Sequence, residues 1–410
     1  MGKKKPKIES NSITGLKYFD MLKPLLERLH EDGCDRDRAG NRELHYDELC
    51  LLYLLFMFNP IVSSLRGIQQ ASELEKVQKR LGCGRSSLGS LSEANSVFDS
   101  DRLREIIEEL GEQLPAPKRN PHFGNIEQKL VAVDSTLIKT LPKLLSAAAT
   151  DDKRPQLVSW RFHTQFDILR NMPTQIDVTE GTKKENDERR VLARTLQPDC
   201  FYVTDRGYIE FKLFNQIHAV GSSYACRLRD NSSPTVVTEN ELTSEARDAE
   251  VLSDQIVVFD TSAHPKRVGP DHTLRLVCIK CAPHRRRATS RSTGGSNSDG
   301  ILRIVTNALD IPAEIIALIY KYRWAIEIFF RFFKHLLGCR NLLSRQQNGI
   351  EIQAYCAIIA CLLIGLWTGR KATKRTFEMV CFYFCGLATL DELLAHIGKL
   401  KLAEETQAEN

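Results

Sequence analysis

The chain has 410 residues, more than one hydrophobic core usually supports, which predicts two or three domains. An apolar fraction of 42% and a charged fraction of 27% are those of an ordinary soluble globular protein, and 12 scattered cysteines exclude a disulfide scaffold and fit a reducing, cytoplasmic setting. The net charge of +5, from 57 basic and 52 acidic residues, is too small to name a polyanionic partner.

The charge is unevenly spread. Lys3, Lys4, Lys5 and Lys7 form a basic tail on a stretch, 1–13, that reads as disordered. Arg285, Arg286, Arg287 and Arg291 form a second cluster. Such runs can neutralise phosphates, although they more often only solubilise a surface. No apolar core follows the tail, so no signal peptide is expected.

Apolar residues at three- and four-residue spacing make 16–114 helical. Within it, 74–97 reads as a helix, a Gly82-Cys83-Gly84 turn, and a second helix capped by Ser86 or Ser87, a pattern open to a helix-turn-helix or a plain helical hairpin. Pro115, Pro117 and Pro121 then mark a linker. Beyond it the period changes. Leu130-Val131-Ala132-Val133 is a short apolar strand ending in Asp134; 160–168 and 174–179 alternate; Phe201-Tyr202-Val203 leads to Thr204-Asp205. Polar and amphipathic helices are expected at 185–196 and 211–217. Together these suggest a mixed α/β core with two aspartates at strand ends. The stretch 231–300 is rich in Ser, Thr and Val, with strands expected at 251–259 and 274–281 and a loop at 292–299, and 303–306 is one more strand. From Pro312 the chain is helical nearly to its end. Its longest apolar run, 354–367, is too short to span a bilayer and predicts a buried helix.

The segment 312–337 reads as one continuous helix. At about 100° per residue, Tyr322, Ala325, Ile326, Phe329, Phe330, Phe332, Phe333, Leu336 and Leu337 share a broad apolar sector, whereas Tyr320, Arg323, Glu327, Arg331 and Lys334 share an opposite stripe roughly 80° wide. Alone, this is a solvated face with an Arg323–Glu327 pair. Two upstream strand-end aspartates change the reading. Carboxylates gathered without a cation would repel one another, and hard cations such as Mg²⁺ prefer such oxygens. A pair of divalent ions can activate a nucleophile and stabilise the leaving oxygen of a phosphoryl transfer. Asp134, Asp205 and Glu327 are therefore the candidate catalytic and metal-holding residues. Asp167 and Asp177 lie inside alternating stretches and Asp187 on a polar helix, so they rank below. Cys278 and Cys281 with His284 lack a second ligand pair for zinc and read as strand positions.

Asp134-Ser135-Thr136, Phe162-His163-Thr164 with Asp167-Ile168, and Thr204-Asp205-Arg206-Gly207-Tyr208 resemble the first two acidic blocks of the IS-four family of insertion-sequence transposases. Tyr320, Arg323, Glu327 and Lys334 match that family's Tyr-x2-Arg-x3-Glu-x6-Lys pattern without deviation. The similarity runs from about Leu16 through Ser90 and Asn95 to Thr373-Lys374-Arg375-Thr376 and Gly386. The resemblance implies an RNase H-like catalytic core in two parts, 128–230 and 301–345, interrupted by a β-rich insertion at 231–300. A helical N-terminal DNA-binding domain at 14–115 and a helical C-terminal region at 346–410, for packing or dimerisation, would flank it. It implies cleavage at terminal inverted repeats and joining to target double-stranded DNA in a homodimeric synapse, on two Mg²⁺ ions for which Mn²⁺ substitutes, in a nucleoid-associated, cytoplasmic protein with no membrane partner. Tyr320, Arg323 and Lys334 would contact DNA phosphates, with Arg331, outside the motif, as a lesser candidate. Relatives with a hairpin step receive a flipped base on an aromatic of the insertion; here Trp160, Trp324 and Trp367 all lie elsewhere, leaving Phe259. A cleavage-inactive DNA-binding regulator and an RNase H-like nuclease without strand transfer are the other readings.

Overall fold

The computed structural model describes residues 22–32, 43–114, 123, 126–139, 159–181, 186–230, 232, 234–259, 268–282, 299–336, 342–370 and 373–409. The tail at 1–13, the proline linker, the arginine cluster, His284 and most of the 292–299 loop lie outside them.

Among the described residues, six α-helices precede the first strand: α1 (Lys23–Leu26), α2 (Tyr46–Phe58), α3 (Leu65–Ser72), α4 (Glu75–Leu81), α5 (Leu88–Val97) and α6 (Arg102–Gln113). The turn expected between α4 and α5 is present. Gly82 closes α4 at φ +75°, a left-handed conformation that favours glycine, and Ser87 caps α5 by accepting from the Ser90 N–H at 3.0 Å.

The sheet has nine strands: β1 (Lys129–Lys139), β2 (Ser159–Asp167), β3 (Met172–Glu180), β4 (Cys200–Thr204), β5 (Ser223–Arg227), β6 (Thr235–Glu239), β7 (Val251–Val258), β8 (Leu274–Lys280) and β9 (Ile301–Thr306). Their order is β3-β2-β1-β4-β5-β9-β8-β7-β6. β1, β4 and β5 are parallel, and the remaining neighbours are antiparallel. The mixed α/β expectation is thus met. The strands at 231–300 continue this same sheet, joined through β9. β5 and β6 were not expected from the sequence.

Two cores flank the sheet. Leu130 and Ala132 of β1, Phe201 and Val203 of β4 and Phe162 of β2 face one; Val131, Val133 and Tyr202 face the other. The second core is closed by α7 (Glu188–Arg194), which connects β3 to β4, and α8 (Phe211–Ala219), which connects β4 to β5. The first is closed by α10 (Ala313–Tyr322), α11 (Trp324–Leu336) and α12 (Gln347–Thr368), with the N-terminal helices packed behind them. A short α9 (Ser244–Asp248) lies between β6 and β7, and α13 (Lys374–Phe384) and α14 (Leu390–Glu409) end the chain.

Helix α12 is longer than its apolar run. By length and composition it could cross a membrane, yet 94% of its most apolar window is buried within the protein, against α2, α5, α6 and β3. Apolar all round, it is a core helix. Asn348 ties it to the end of α5 by donating to the carbonyls of Asn95 (2.8 Å) and Phe98 (2.6 Å).

Two expectations fail in detail. Asp134 does not end its strand: β1 runs on to Lys139 because β2 keeps pairing with it there, and what stops at Val133 is the parallel ladder to β4. Nor is 312–337 one helix. It starts at Pro312 as expected, but the Arg323 N–H bonds to the Tyr320 carbonyl and the Ile326 N–H to the Arg323 carbonyl, three-residue closures that break the ladder into α10 and α11.

A buried ion pair sets the approach to α10. Arg275 of β8 binds Asp254 of β7 in a fork, Nε–Oδ1 2.7 Å and Nη2–Oδ2 2.8 Å, with both side chains under 10% exposed. Its Nη1 also reaches the carbonyls of Ala308, Leu309 and Ile311, clamping the turn between β9 and α10. Removing one partner of such a pair strands the other charge in the core. Arg275→Met should cost about 3 kcal/mol in urea unfolding; a loss within about 0.5 kcal/mol would show the clamp to be unimportant.

Candidate active site

Parallel register brings the two aspartates together. Val133 pairs with Thr204, so Asp134 and Asp205 occupy the next positions on adjacent strands. Asp205 lies just beyond β4, where its Oδ1 accepts the Gly207 N–H at 2.7 Å and caps a single 3₁₀ turn, Arg206–Tyr208. A Cβ at position 207 would stand 2.9 Å from Asp205 Oδ1, so a side chain there would press on that carboxylate. Asp134 Oδ1 accepts the Ser135 N–H at 2.8 Å.

Alternation along β1 turns Asp134 toward the core that α11 covers, where Phe329 packs on Phe166 and Phe333 on Phe162. That docking carries Glu327 to the aspartates. Arg323 stands between them: its Nη2 donates to Glu327 Oε1 at 2.7 Å and its Nη1 lies 3.8 Å from Asp134 Oδ2. The guanidinium also sits 5.7 Å from the Tyr320 ring centroid. A single cation thus touches acids from a strand and a helix. Among the described residues no group of three or more His, Cys, Asp or Glu is arranged to hold a metal ion; Arg323 instead pairs with Glu327 and lies close to Asp134. The donors themselves, carboxylate oxygens only, are the kind hard divalent cations prefer.

The other motif residues divide. Arg331 and Lys334 lie exposed on α11 on the side of Glu327, one and two turns on. Tyr320 does not share an open stripe with them. It is 7% exposed, and burial raises its hydroxyl pKa well above the usual range. Tyr322, expected in the apolar sector, is 37% exposed, its ring edge-on to Phe123.

The rival aspartates have structural partners. Asp167 accepts the Arg170 N–H, Asp177 pairs with Arg104 and Gln175, and Asp187 caps α7 and binds Arg189. Cys278 lies in β8. Phe259 packs on Phe211 at 5.2 Å.

Sequence reasoning missed a second glutamate. Glu188, in the first turn of α7, accepts from Ser135 Oγ and Arg161 Nη1 on the opposite face of the sheet from Glu327. In the sequence it reads as an ordinary first-turn acid. Arg227, at the end of β5, is a missed cation whose charge reaches Tyr320.

Burial first, and then the charge of Asp205, raises the Asp134 pKa from 3.8 to about 6, against the lowering pull of the Ser135 N–H and Arg323. Between these values the folded protein keeps a proton that the unfolded chain has lost, so stability from this group is full below pH 3.8 and falls as pH rises to 6. In EDTA, the unfolding free energy of the wild type relative to Asp134→Asn should decline by roughly 2–3 kcal/mol across that window. A difference that is flat with pH would contradict the shift.

The family described as transposase DDE domain matches residues 126–363. A protein of Sinorhizobium fredii named as transposase y4zB is 25% identical over 232 residues, 57% of this chain and 59% of its own length. The protein of Synechocystis sp. named as transposase for insertion sequence element IS4SA is 35% identical over 319 residues, covering 75% of this chain and 80% of that one. The chain therefore spans less than two thirds of the first relative and four fifths of the second. The solved structure of a piggyBac transposase synaptic complex with hairpin DNA overlaps 97% of this chain and 82% of that one, with 8% identity and a TM-score of 0.41, too low a likeness to bear on the fold.

Proposed function

Because the chain belongs to the transposase DDE-domain family, we propose that it is a DNA transposase that cleaves the ends of an insertion sequence at terminal inverted repeats and joins them to target double-stranded DNA. The observation that carries this reading is Arg323, whose guanidinium links Asp134 on the strand pair to Glu327 on α11. Two acids from separate elements are thereby joined through one cation, and the β1–β4 register sets Asp205 beside Asp134. The family generally uses divalent metal ions; Asp134, Asp205 and Glu327 would hold Mg²⁺, two ions in this proposal, with Mn²⁺ as substitute. When bound, such ions activate the attacking oxygen and stabilise the leaving one.

The protein's own groups do the rest. Asp134 must give up the proton that burial favours. Glu327 must exchange Arg323 for the aspartates' side of the site. Arg323, once released, offers a two-pronged donor that fits a phosphate, and Tyr320 beneath it limits where the fork can point. Lys334 supplies a point charge to the backbone of the bound DNA, and Arg331 a further one.

The strand order β3-β2-β1-β4-β5, with β1, β4 and β5 parallel, supports an RNase H-like core at 128–230 and 301–345. The strands at 231–300 would be its insertion. In the proposal the helices of 14–115 bind DNA, and those of 346–410 serve packing or a homodimeric synapse, in a nucleoid-associated protein. Phe259, already packed on Phe211, is a poor receptor for a flipped base, so no hairpin step is proposed.

The test is incubation of purified protein with Mg²⁺ and a DNA end carrying its own element's inverted repeat. Nicking followed by joining is expected; binding alone would mark a regulator, and cutting independent of the end a nuclease. Asp134→Asn, Asp205→Asn and Glu327→Gln should each lower cleavage by about a thousandfold or more, equivalent to about 4 kcal/mol, with end binding retained. Arg323→Lys, which keeps charge but loses the fork, should cost about tenfold or more. Wild-type cleavage by Glu327→Gln would remove the helix from the mechanism.

A further inference from the structure

Glu188 is held at the strand tips from the side of the sheet that Glu327 does not reach. Ser135 and Arg161 fix its Oε1. Its other oxygen, Oε2, lies 3.4 Å from the point where a Cβ on Gly207 would stand, and Asp205 Oδ1 lies 2.9 Å from that same point. The charge of Glu188 is also felt at Asp134. Beside these acids, Tyr208 is 1% exposed, and its hydroxyl has no hydrogen-bond partner. Burial, followed by the charges of Glu188, Asp134 and Asp205, keeps that hydroxyl protonated and so able to donate. Glu188 and Tyr208 line one small cavity together with His163 and Thr164.

A carboxylate serving only as Arg161's partner would need neither this proximity to Asp205 nor an unpaired donor behind it. Granting the divalent-ion reading above, we propose that Glu188 is a fourth carboxylate of the site, a positioning residue that holds one divalent ion through that ion's bound water, with Tyr208 as the donor that orients it. Mg²⁺ and Mn²⁺ keep several waters when protein-bound, and these need acceptors. Glutamates attached to opposite faces of the sheet would then bracket the Asp134–Asp205 pair.

The experiment is a Mn²⁺ titration of the full chain without DNA, with free ion followed by electron paramagnetic resonance. The wild type should bind Mn²⁺, and Glu188→Gln should weaken one class of site by about tenfold or more, as loss of an outer-shell partner does, while the other class is unchanged. Glu188→Asp keeps the charge for Arg161 but withdraws the carboxylate. It should fall by about threefold, and it carries the test if the glutamine variant fails to fold. Mn²⁺ binding by folded Glu188→Gln or Glu188→Asp that equals wild type overturns the inference and leaves the triad standing. A wild type that binds no Mn²⁺ overturns both.

Discussion

The parallel pairing of β1 with β4 is the constraint from which the site follows. Both strands are buried on two faces, so their backbone groups must pair with each other, and the in-register ladder from Lys129 and Cys200 to Val133 and Thr204 leaves no freedom in where the next residues fall. Those residues are Asp134 and Asp205. Two like charges beside a core are costly. The protein meets that cost with backbone N–H donors at each carboxylate and with Arg323, brought to Asp134 from between α10 and α11.

The arrangement has a rough two-fold logic across the sheet. On the α11 face, Arg323 binds Glu327 and approaches Asp134; on the α7 face, Arg161 binds Glu188, which Ser135 also holds. Each glutamate comes with its own arginine. The break at Arg323 matters to the first of these. Tyr320, in the last turn of α10, is buried with the Arg323 guanidinium 5.7 Å from its ring, and Arg323 sits at the joint, reaching both a strand and the next helix. Upstream, the Arg275–Asp254 pair anchors the turn from which α10 departs, so a buried pair far from the acids sets the angle at which Glu327 arrives.

Much of this was legible in residue order. Apolar runs followed by aspartate announced β1 and β4, the 3.6-residue pattern announced the polar edge of α11, a long apolar run announced α12, and prolines and serines announced helix starts. The parts that were not legible share a cause: they depend on partners distant in sequence. β5 is only Ser223–Arg227, too short to show a pattern of alternation, yet it is the strand that joins the two halves of the sheet. β6 is exposed along its whole length and exists because β7 offers it an edge. The length of β1 beyond Asp134 is set by β2. Glu188 looks like any acid in a first helical turn, and its significance comes from Ser135, more than fifty positions earlier, and from Gly207, whose missing side chain opens the approach. The helix break at Arg323 carries no glycine or proline to mark it.

The central claim is spatial: Asp134 within β1, Asp205 just beyond β4 and the polar edge of α11 share divalent cations. Anomalous scattering from crystals of the protein soaked in Mn²⁺ reads this directly. The account predicts a peak between the carboxylates of Asp134 and Asp205, with the Arg323 guanidinium displaced from Asp134 and Glu327 turned toward the metal. Crystals saturated with Mn²⁺ that show no peak at these aspartates, with Arg323 still seated between Asp134 and Glu327, would contradict it.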